Sequence, residues 1–263
     1  MREVAIIGVG VTEFGELWNN SFRSLGIEAG MRAMKDAGIS GDAIDGVFIG
    51  NMGAGHFVNQ NNVSALVADY TGMSTRHIAA TSVESGGASG GVAFRQGVMA
   101  VASGMHDMVL VGGAEKMTDL DDVSINSVMD SSADADWEAG MGVTLASNYA
   151  MIANRMIHEG IATREEIASV SVNSHFHGAL NPLAQFRKAV PIETVLRSGA
   201  VASPLGMFDC APISDGAAAL VLCPLEDAKK YTDSYVKVAA CTQASDTLAL
   251  FQREDITTFG ATV

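Results

Sequence analysis

The segment GASGG at residues 87–91 has residue types and a spacing that could carry covalent chemistry. It fits the pattern G-x-S-x-G, which in serine hydrolases exposes a nucleophilic serine on a sharp turn between a strand and a helix. Such an enzyme also needs an acid and a histidine further along the chain, and nothing singles out His158, His175 or His177 for that role. Small residues here would equally let a helix start pack tightly on a sheet, or bring a backbone amide close to a ligand.

Two further patterns are typical of ligand sites but do not complete them. Gly8 and Gly10 follow a predicted strand as in a dinucleotide-binding turn, but Glu13 stands where the third glycine belongs, and its charge disfavours a pyrophosphate. This pair therefore predicts a tight turn after the first strand. His175 and His177 are two residues apart, so a helix would place them on different faces, and no metal site is predicted.

The three cysteines do not form a recognisable pattern. Cys210, Cys223 and Cys241 are an odd number and contain no C-x-x-C pair, so the sequence indicates neither a disulfide framework nor a zinc site. Their apolar or strand-like surroundings predict buried thiols.

The elements that must position these residues alternate between strand-like and helix-like stretches. The predicted strands cover residues 4–7, 45–49, 78–83, 108–111, 218–223 and 235–241. The predicted helices cover residues 21–37, 61–70, 88–103, 145–159 and 165–177. Repeated strand–helix–strand units predict an α/β layered fold with parallel strands covered by helices. Thr163 and Glu166 have the spacing of a capping box at the start of the last helix.

Composition and charge restrict the class of protein. The chain has 263 residues, 16 of them basic and 30 acidic, and the resulting charge of −14 argues against nucleic-acid binding. No apolar run reaches the roughly 20 residues of a membrane-spanning helix, and the first residues read as a strand rather than a signal peptide, so we expect a cytoplasmic protein. Residues 119–140 hold seven acidic residues, Glu138 among them, and no Lys or Arg, which predicts a solvated surface excursion.

Six segments of the chain resemble one family. Residues 81–97, TSVESGGASGGVAFRQG, closely resemble the nucleophile segment of thiolases, above all that of archaeal acetyl-CoA acetyltransferases and lipid-transfer (sterol-carrier) thiolases. The other segments resemble the same group in the same order. They are VAIIGVGVTEFGE (4–16), GNMGAG (50–55), VGGAEKM (111–117), NPLAQF (181–186) and DCAPISDGAA (209–218).

The resemblance implies a thiolase-like layered α/β fold, of which this chain is similar to the first half, with an inserted loop domain. Residues 1–118 would form the first part of the core and residues 119–195 the loop domain. Residues 196–263 would return to the core and begin the linker to a second half that the chain lacks. In the family, that half supplies the histidine of a G-H-P-x-G motif, which occurs nowhere in this sequence. We expect Val98, Met99 and Ala102 to face solvent unless another polypeptide covers them.

The resemblance also assigns roles at the glycine-rich segment. The family pattern there is C-A-S-G-G, and its reactive cysteine falls on Gly87, which has no side chain to hold an acyl group as a thioester. What it keeps is a backbone N–H, which in the family contributes to an oxyanion hole. Ser85 and Ser89 flank the position as substitute nucleophiles, but a serine would need an adjacent base.

The function implied is that of an acyl-CoA acyltransferase of the acetyl-CoA C-acetyltransferase type, impaired by Gly87 and by the absent half. The alternatives are a cysteine-free, thiolase-like aldolase acting on lipid acyl-CoA thioesters and a non-catalytic acyl-CoA-binding subunit. Coenzyme A thioesters would be substrates, no cofactor would be permanently bound, and His175 and His177 would line or border the loop-domain pocket. The implied partners are a second copy or a carboxy-terminal thiolase half, and a small zinc-ribbon/OB-fold protein.

Overall fold

The computed structural model describes residues 1–259. The chain divides into two compact units. The first consists of Met1–Leu120 and Ser214–Gln243, and the second consists of Asp121–Ile213 and the residues from Ala244 on. The domain boundaries predicted at residues 118 and 195 stay predictions.

Eight strands and eight α-helices make up the described part of the chain. The strands are β1 (Val4–Val11), β2 (Gly46–Gly50), β3 (Ala79–Val83), β4 (Val109–Glu115), β5 (Ala200–Ala202), β6 (Leu205–Gly206), β7 (Gly216–Pro224) and β8 (Val236–Lys237). The helices are α1 (Phe22–Asp36), α2 (Ala54–Phe57), α3 (Val63–Tyr70), α4 (Ser89–Ser103), α5 (Asp122–Asp130), α6 (Leu145–His158), α7 (Arg164–Leu180) and α8 (Ile192–Leu196).

The first unit is built on a six-stranded mixed sheet in the order β3-β2-β4-β7-β1-β8. The predicted parallel arrangement holds only for β2, β3 and β4. It is wrong for the rest of the sheet, because β7 runs antiparallel to both β4 and β1. Apolar clusters form where helices cover the sheet. One contains residues of α1 and α3, and another contains residues of α4, as in other layered α/β folds.

The turn predicted at Gly8 and Gly10 is wrong, because both glycines lie inside β1. A Cβ atom on Gly8 would lie 2.6 Å from the backbone nitrogen of Ala37, and one on Gly10 would lie 2.5 Å from that of Ala33. Real Cβ atoms do not come that close to backbone. The two glycines therefore let α1 pack directly on the strand, and their spacing of two reflects the alternation of a strand.

The second unit contains α5 to α8 and the two-stranded sheet of β5 and β6. The capping box predicted at the start of α7 is confirmed, because Thr163 Oγ accepts from Glu166 N and the Glu166 carboxylate accepts from Thr163 N. The surface excursion predicted for residues 119–140 is wrong in part, since it contains α5. Glu138 is buried, and its carboxylate accepts hydrogen bonds from the backbone of Leu250 and Asp134.

The strand predicted over residues 235–241 is reduced to the two residues of β8. The prediction of three buried thiols is correct only for Cys223, which is fully buried, since Cys210 and Cys241 are half-buried. No helix within residues 1–259 is long and apolar enough to cross a membrane.

Candidate functional site

The parallel part of the sheet brings three strand ends to one edge, and the glycine-rich segment follows one of them. In such sheets, ligands bind beyond the carboxyl ends of the strands. β3 ends at Val83, and four residues later Gly87 leads into the 15-residue helix α4. Gly50, the last residue of β2, would place a Cβ atom 2.6 Å from the backbone nitrogen of Gly90. Glycine at position 50 therefore lets the start of α4 contact the end of the strand.

The turn before α4 is stabilised by its own serine. Ser89 Oγ donates to the carbonyl of Gly86 at 2.6 Å and accepts from the N–H of Ser85 at 2.9 Å. Ala88 N donates to the carbonyl of Ser85 at 3.0 Å, and Gly86 N donates to the Glu84 carboxylate at 2.6 Å. Most donors of this turn are therefore already in use.

Three backbone donors at the same place are not in use. The N–H groups of Gly87, Gly90 and Gly91 donate to no acceptor within residues 1–259. All three glycines are exposed, and an added Cβ atom would meet nothing within 4 Å at any of them. The first N–H groups of a helix point out of its end and carry its positive partial charge. The N–H groups of Gly90 and Gly91 lie in the first turn of α4 and that of Gly87 lies just before it, and all three are available to a ligand.

The substitute nucleophiles predicted from the sequence lie in different environments. Ser89 is buried and its hydroxyl proton is committed to the Gly86 carbonyl. Ser85 is exposed. Within the described residues, neither hydroxyl forms a hydrogen bond with a histidine, so neither has the adjacent base that an activated serine requires.

A carboxylate that was not predicted from the sequence is held at the same edge. Glu115, at the end of β4, accepts from Asn51 Nδ2 at 2.8 Å and from the backbone N–H of Met52 at 3.1 Å. Burial is the largest effect on this group and raises the pKa of Glu115 above its ordinary value, although these hydrogen bonds lower it. The signal available in the sequence was that GNMGAG and VGGAEKM each place a polar residue, Asn51 or Glu115, two or four residues after a predicted strand.

A buried ion pair joins the ends of β4 and β7. The Lys116 ammonium group is fully buried and lies 3.0 Å from an oxygen of Asp215 and 2.6 Å from one of Asp119. Burial alone would raise the pKa of Asp215, but hydrogen bonds from Thr118, Met117 and Lys116 outweigh it and lower that pKa. Removing one partner of such a pair leaves a charge buried and uncompensated, so the pair fixes this strand end.

The second unit contains an apolar cavity of about 770 Å³. His175 lies in its wall, stacked on Phe186 with ring centroids 6.2 Å apart and tilted against Phe208 at 5.4 Å. His177 is exposed, packs against Phe176 and does not line the cavity. The rest of the wall is mostly apolar, with two cations and the polar side chains of Gln185 and Thr194. It includes Arg187, Lys188, Val190, Pro191, Thr194, Val201, Met207, Cys210 and Pro212.

Neither Cys210, in the second unit, nor Cys223, in β7 of the first unit, is prepared for nucleophilic attack. Burial raises the pKa of Cys223 to about 11, and burial together with the charge of Asp209 raises that of Cys210. Both thiols therefore stay protonated at neutral pH, and the protonated form is a poor nucleophile. Residues 1–259 contain no group of three or more His, Cys, Asp or Glu side chains that could hold a metal ion.

One face of α4 is only partly covered. Met99 is 47% exposed, and Val98 and Ala102 are half-buried. The covering partner expected from the sequence stays a prediction.

Comparison with known proteins gives one consistent result. The sequence profile of the thiolase N-terminal domain matches residues 4–226. The chain is 50% identical, over its whole length, to an acetyl-CoA acetyltransferase of Methanothermobacter thermautotrophicus and 49% identical, over 99% of its length, to that of Methanocaldococcus jannaschii. It spans 68% and 66% of those relatives, respectively.

Among solved structures, an "Ltp2-ChsH2(DUF35) aldolase" superposes with a TM-score of 0.80 and 28% identity, covering 97% of this chain and 65% of that one. The mixed sheet, the glycine-rich start of α4 and the family profile agree with one another. The chain belongs to the thiolase family.

Proposed function

We propose that the chain binds an acyl-coenzyme A thioester and polarises its carbonyl group with the backbone at the start of α4, without forming an acyl-enzyme. The observation that supports this most directly is the set of unused N–H groups on Gly87, Gly90 and Gly91. A thioester oxygen gains negative charge when its carbonyl carbon is attacked or when the neighbouring carbon loses a proton. Donors fixed at a helix start stabilise that charge, and they need no side chain.

The covalent step of a thiolase-type acyltransferase is impaired in this proposal. The segment's resemblance places the family's cysteine on Gly87, and the buried hydroxyl of Ser89 is already bonded within its own turn. Intact-mass measurement after incubation with acetyl-CoA, followed by peptide mapping, tests this directly. We expect an unmodified chain. An acetyl group on Ser85 or Ser89 would mean that a serine has replaced the cysteine, and the proposal would be wrong.

A cysteine placed at the vacant position gives a positive test. Position 87 has open space and an ordinary backbone conformation, so Gly87→Cys is expected to fold normally. Gly90→Cys, three residues further on and equally open, is the matched control. A thiol at a helix start has a lowered pKa and reacts faster. We expect acetyl-CoA to acetylate the introduced thiol, with release of coenzyme A, at least tenfold faster in Gly87→Cys than in Gly90→Cys. Equal rates would contradict the assignment of position 87.

We propose separately that the apolar cavity of the second unit binds coenzyme A. Its wall suits the pantetheine arm, and Arg187 and Lys188 supply positive charge for phosphates. Val190→Asp would place a carboxylate in this wall, and Val170→Asp places the same group on the exposed face of α7. We expect calorimetric titration with coenzyme A to give at least tenfold weaker binding for Val190→Asp and unchanged binding for Val170→Asp. Equal affinities would move the coenzyme A site elsewhere.

Carbon–carbon bond cleavage is the second candidate function, favoured by the likeness to the solved aldolase. An aldol cleavage of a β-hydroxyacyl-CoA thioester needs carbonyl polarisation and proton transfer, but no acyl-enzyme. Glu115, whose pKa burial raises, is the carboxylate at the same edge that could exchange a proton. Incubation with a β-hydroxyacyl-CoA should then release an aldehyde or ketone and a shorter thioester. Thioester binding without cleavage, with or without a partner, would instead support an acyl-CoA-binding subunit.

The proposal also includes a partner for the uncovered face of α4. Met99 and its half-buried neighbours Val98 and Ala102 form an apolar surface further along α4, the helix whose start carries the proposed site. A second copy or a carboxy-terminal thiolase half fits this surface, and a DUF35-type partner is named in the aldolase likeness. A monodisperse monomer that binds no hydrophobic dye would contradict this.

A further inference from the structure

A polar cavity opens at the carboxyl ends of β2 and β3, within the first unit. Its volume is about 300 Å³, room for roughly ten water molecules at about 30 Å³ each. Two residues of its wall also bond to groups beside the proposed thioester site. Asn51 Nδ2 donates to the Glu115 carboxylate at 2.8 Å, and the Glu84 carboxylate accepts from the N–H of Gly86, one residue before Gly87, at 2.6 Å. The cavity therefore adjoins the place where the proposed function holds the thioester carbonyl.

Several polar side chains of the wall have hydrogen-bonding capacity to spare. His56, Asn61 and Asn62 are exposed, and within residues 1–259 their side chains form no hydrogen bond. A Cβ atom on Gly55 would lie 2.4 Å from Oδ1 of Asn61, so glycine at position 55 makes room for this amide in the wall. Solvent hydrates exposed groups of this kind, and a ligand that displaces the water without replacing its hydrogen bonds loses affinity.

The charge of the wall narrows the choice of ligand. Glu84 gives the wall a carboxylate, and the described residues of the wall include no Lys or Arg. A carboxylate on the ligand would meet this charge without a compensating cation, and the two like charges repel each other. An alkyl group would displace water from the amides and from Glu84 and form no hydrogen bond in exchange. A hydroxyl group both donates and accepts, so it bonds to Glu84 and to an amide group at the same time.

We propose that this cavity receives the far end of the acyl group and selects thioesters whose acyl group carries a hydroxyl group beyond its third carbon. This selection rests on the proposed function, which places the thioester carbonyl at the start of α4. The first three carbons take part in acyl transfer or aldol cleavage, so the hydroxyl group lies outside the reacting part of the substrate. A cavity of this volume admits about ten non-hydrogen atoms, which suits an acyl group of about six carbons. A site that bonds to a substrate hydroxyl group rejects the analogue that lacks it.

Calorimetric titration of the purified chain with three coenzyme A thioesters tests this proposal. The first, 6-hydroxyhexanoyl-CoA, carries the hydroxyl group, heptanoyl-CoA has a methyl group in its place, and adipoyl-CoA ends in a carboxylate. We expect 6-hydroxyhexanoyl-CoA to bind at least tenfold more tightly than either of the others. Equal affinities for the three would overturn the selection and leave thioester binding itself intact. No binding of any of them, nor of acetyl-CoA, would mean that the proposed function is also wrong.

A charge variant assigns the selection to this cavity. Glu84→Gln removes the negative charge and keeps an acceptor for the N–H of Gly86. We expect the affinity for adipoyl-CoA, relative to that for 6-hydroxyhexanoyl-CoA, to rise at least fivefold in Glu84→Gln. Glu16→Gln removes a carboxylate that is also exposed but lies outside the cavity wall, and it is the matched control, with an unchanged ratio. The wild-type ratio in Glu84→Gln would overturn the proposal.

An amide variant tests the hydrogen bonds of the wall. Asn61→Leu replaces the amide with an alkyl group of similar size, so the preference for 6-hydroxyhexanoyl-CoA over heptanoyl-CoA should fall at least fivefold. Asn173→Leu makes the same change on the exposed surface of α7 and is the matched control. His56→Phe carries the test should Asn61→Leu not fold. A full wild-type preference in both Asn61→Leu and His56→Phe would overturn the proposal.

Discussion

The starts of helices α4 and α7 differ in whether a side chain caps their first backbone N–H groups. Each begins with N–H groups that the helix itself cannot satisfy. At α7, Thr163 has an extended backbone and its side chain caps the helix together with Glu166. At α4, Ala88 has ψ of 0°, no side chain caps the helix, and glycines follow. Helices α1 and α6 also carry capping boxes, so among these four long helices only α4 begins without one.

This difference separates a helix start that stabilises the fold from one that is available to a ligand. The capping box at α7 uses the N–H groups of Thr163 and Glu166 and contributes stability, whereas the start of α4 forgoes that stability and leaves the N–H groups of Gly87, Gly90 and Gly91 unused. In the proposed function, the backbone N–H of Gly87 at this uncapped start acts where the resemblance places the family's cysteine.

The largest effect is expected at Gly50, which positions the uncapped start. In Gly50→Ala the new Cβ atom would overlap the backbone of Ser89 and Gly90 in the next layer, so we expect the free energy of unfolding to fall by about 3 kcal/mol. Gly87→Ala meets open space and should change it by no more than about 0.5 kcal/mol. Urea unfolding of both variants measures the difference. Similar losses would show that α4 is not held against β2 as described.

The next effect concerns ligand binding. In Gly90→Asp, a carboxylate in the first turn would occupy the unused N–H groups and repel a developing oxyanion, so we expect at least tenfold weaker binding of acetyl-CoA. The same charge should stabilise the helix start slightly. Gly90→Ala keeps every N–H group and is the matched control, with unchanged binding. Equal binding by the two variants would mean that the thioester does not use this helix start.

The capped start should respond in the opposite way. Thr163→Ala removes the side-chain acceptor at α7, and we expect the free energy of unfolding to fall by about 1 kcal/mol. Acetyl-CoA binding per folded molecule should not change. Thermal unfolding and calorimetric titration measure the two quantities. A loss of binding without a loss of stability would contradict the division of roles between the helix starts.

The smallest effect is a dependence on pH at Glu115. Burial raises the pKa of Glu115 in the folded chain, so the folded state holds the proton more tightly than the unfolded state does. The free energy of unfolding should therefore fall as pH rises through the window from the ordinary value of 4.5 to the raised value. Glu115→Gln imitates the protonated form and should lack this fall. Urea unfolding between about pH 4 and about pH 7 measures the free energy of unfolding of both proteins. A difference between the two free energies that does not change with pH would contradict this prediction.

Local patterns predicted much of this molecule, and pairings distant in sequence account for what they missed. The helices starting near Ser21, Ala88 and Thr163 followed from apolar spacing and capping residues, and GASGG led to the uncapped start. Glu115 could not be paired with Asn51 in advance, because 64 residues separate them and the parallel register of β2 and β4 brings them together.

The buried acid of the second unit was missed for the same reason. Glu138 lies in an acidic stretch that reads as solvated surface, and its partner Leu250 is 112 residues further along the chain. Gly8 and Gly10 show a related failure, since a glycine that admits a helix backbone has the same sequence signature as a glycine in a turn.

The central claim is that the uncapped start of α4 polarises a thioester carbonyl, and infrared spectroscopy of bound acetyl-CoA tests it most directly. With carbon-13 in the acetyl carbonyl, the stretching band of the bound thioester can be separated from the protein amide bands. The account predicts a shift of this band to lower frequency on binding to the wild-type chain and no such shift with Gly90→Asp. A bound thioester whose carbonyl band stays at its frequency in water would contradict the account.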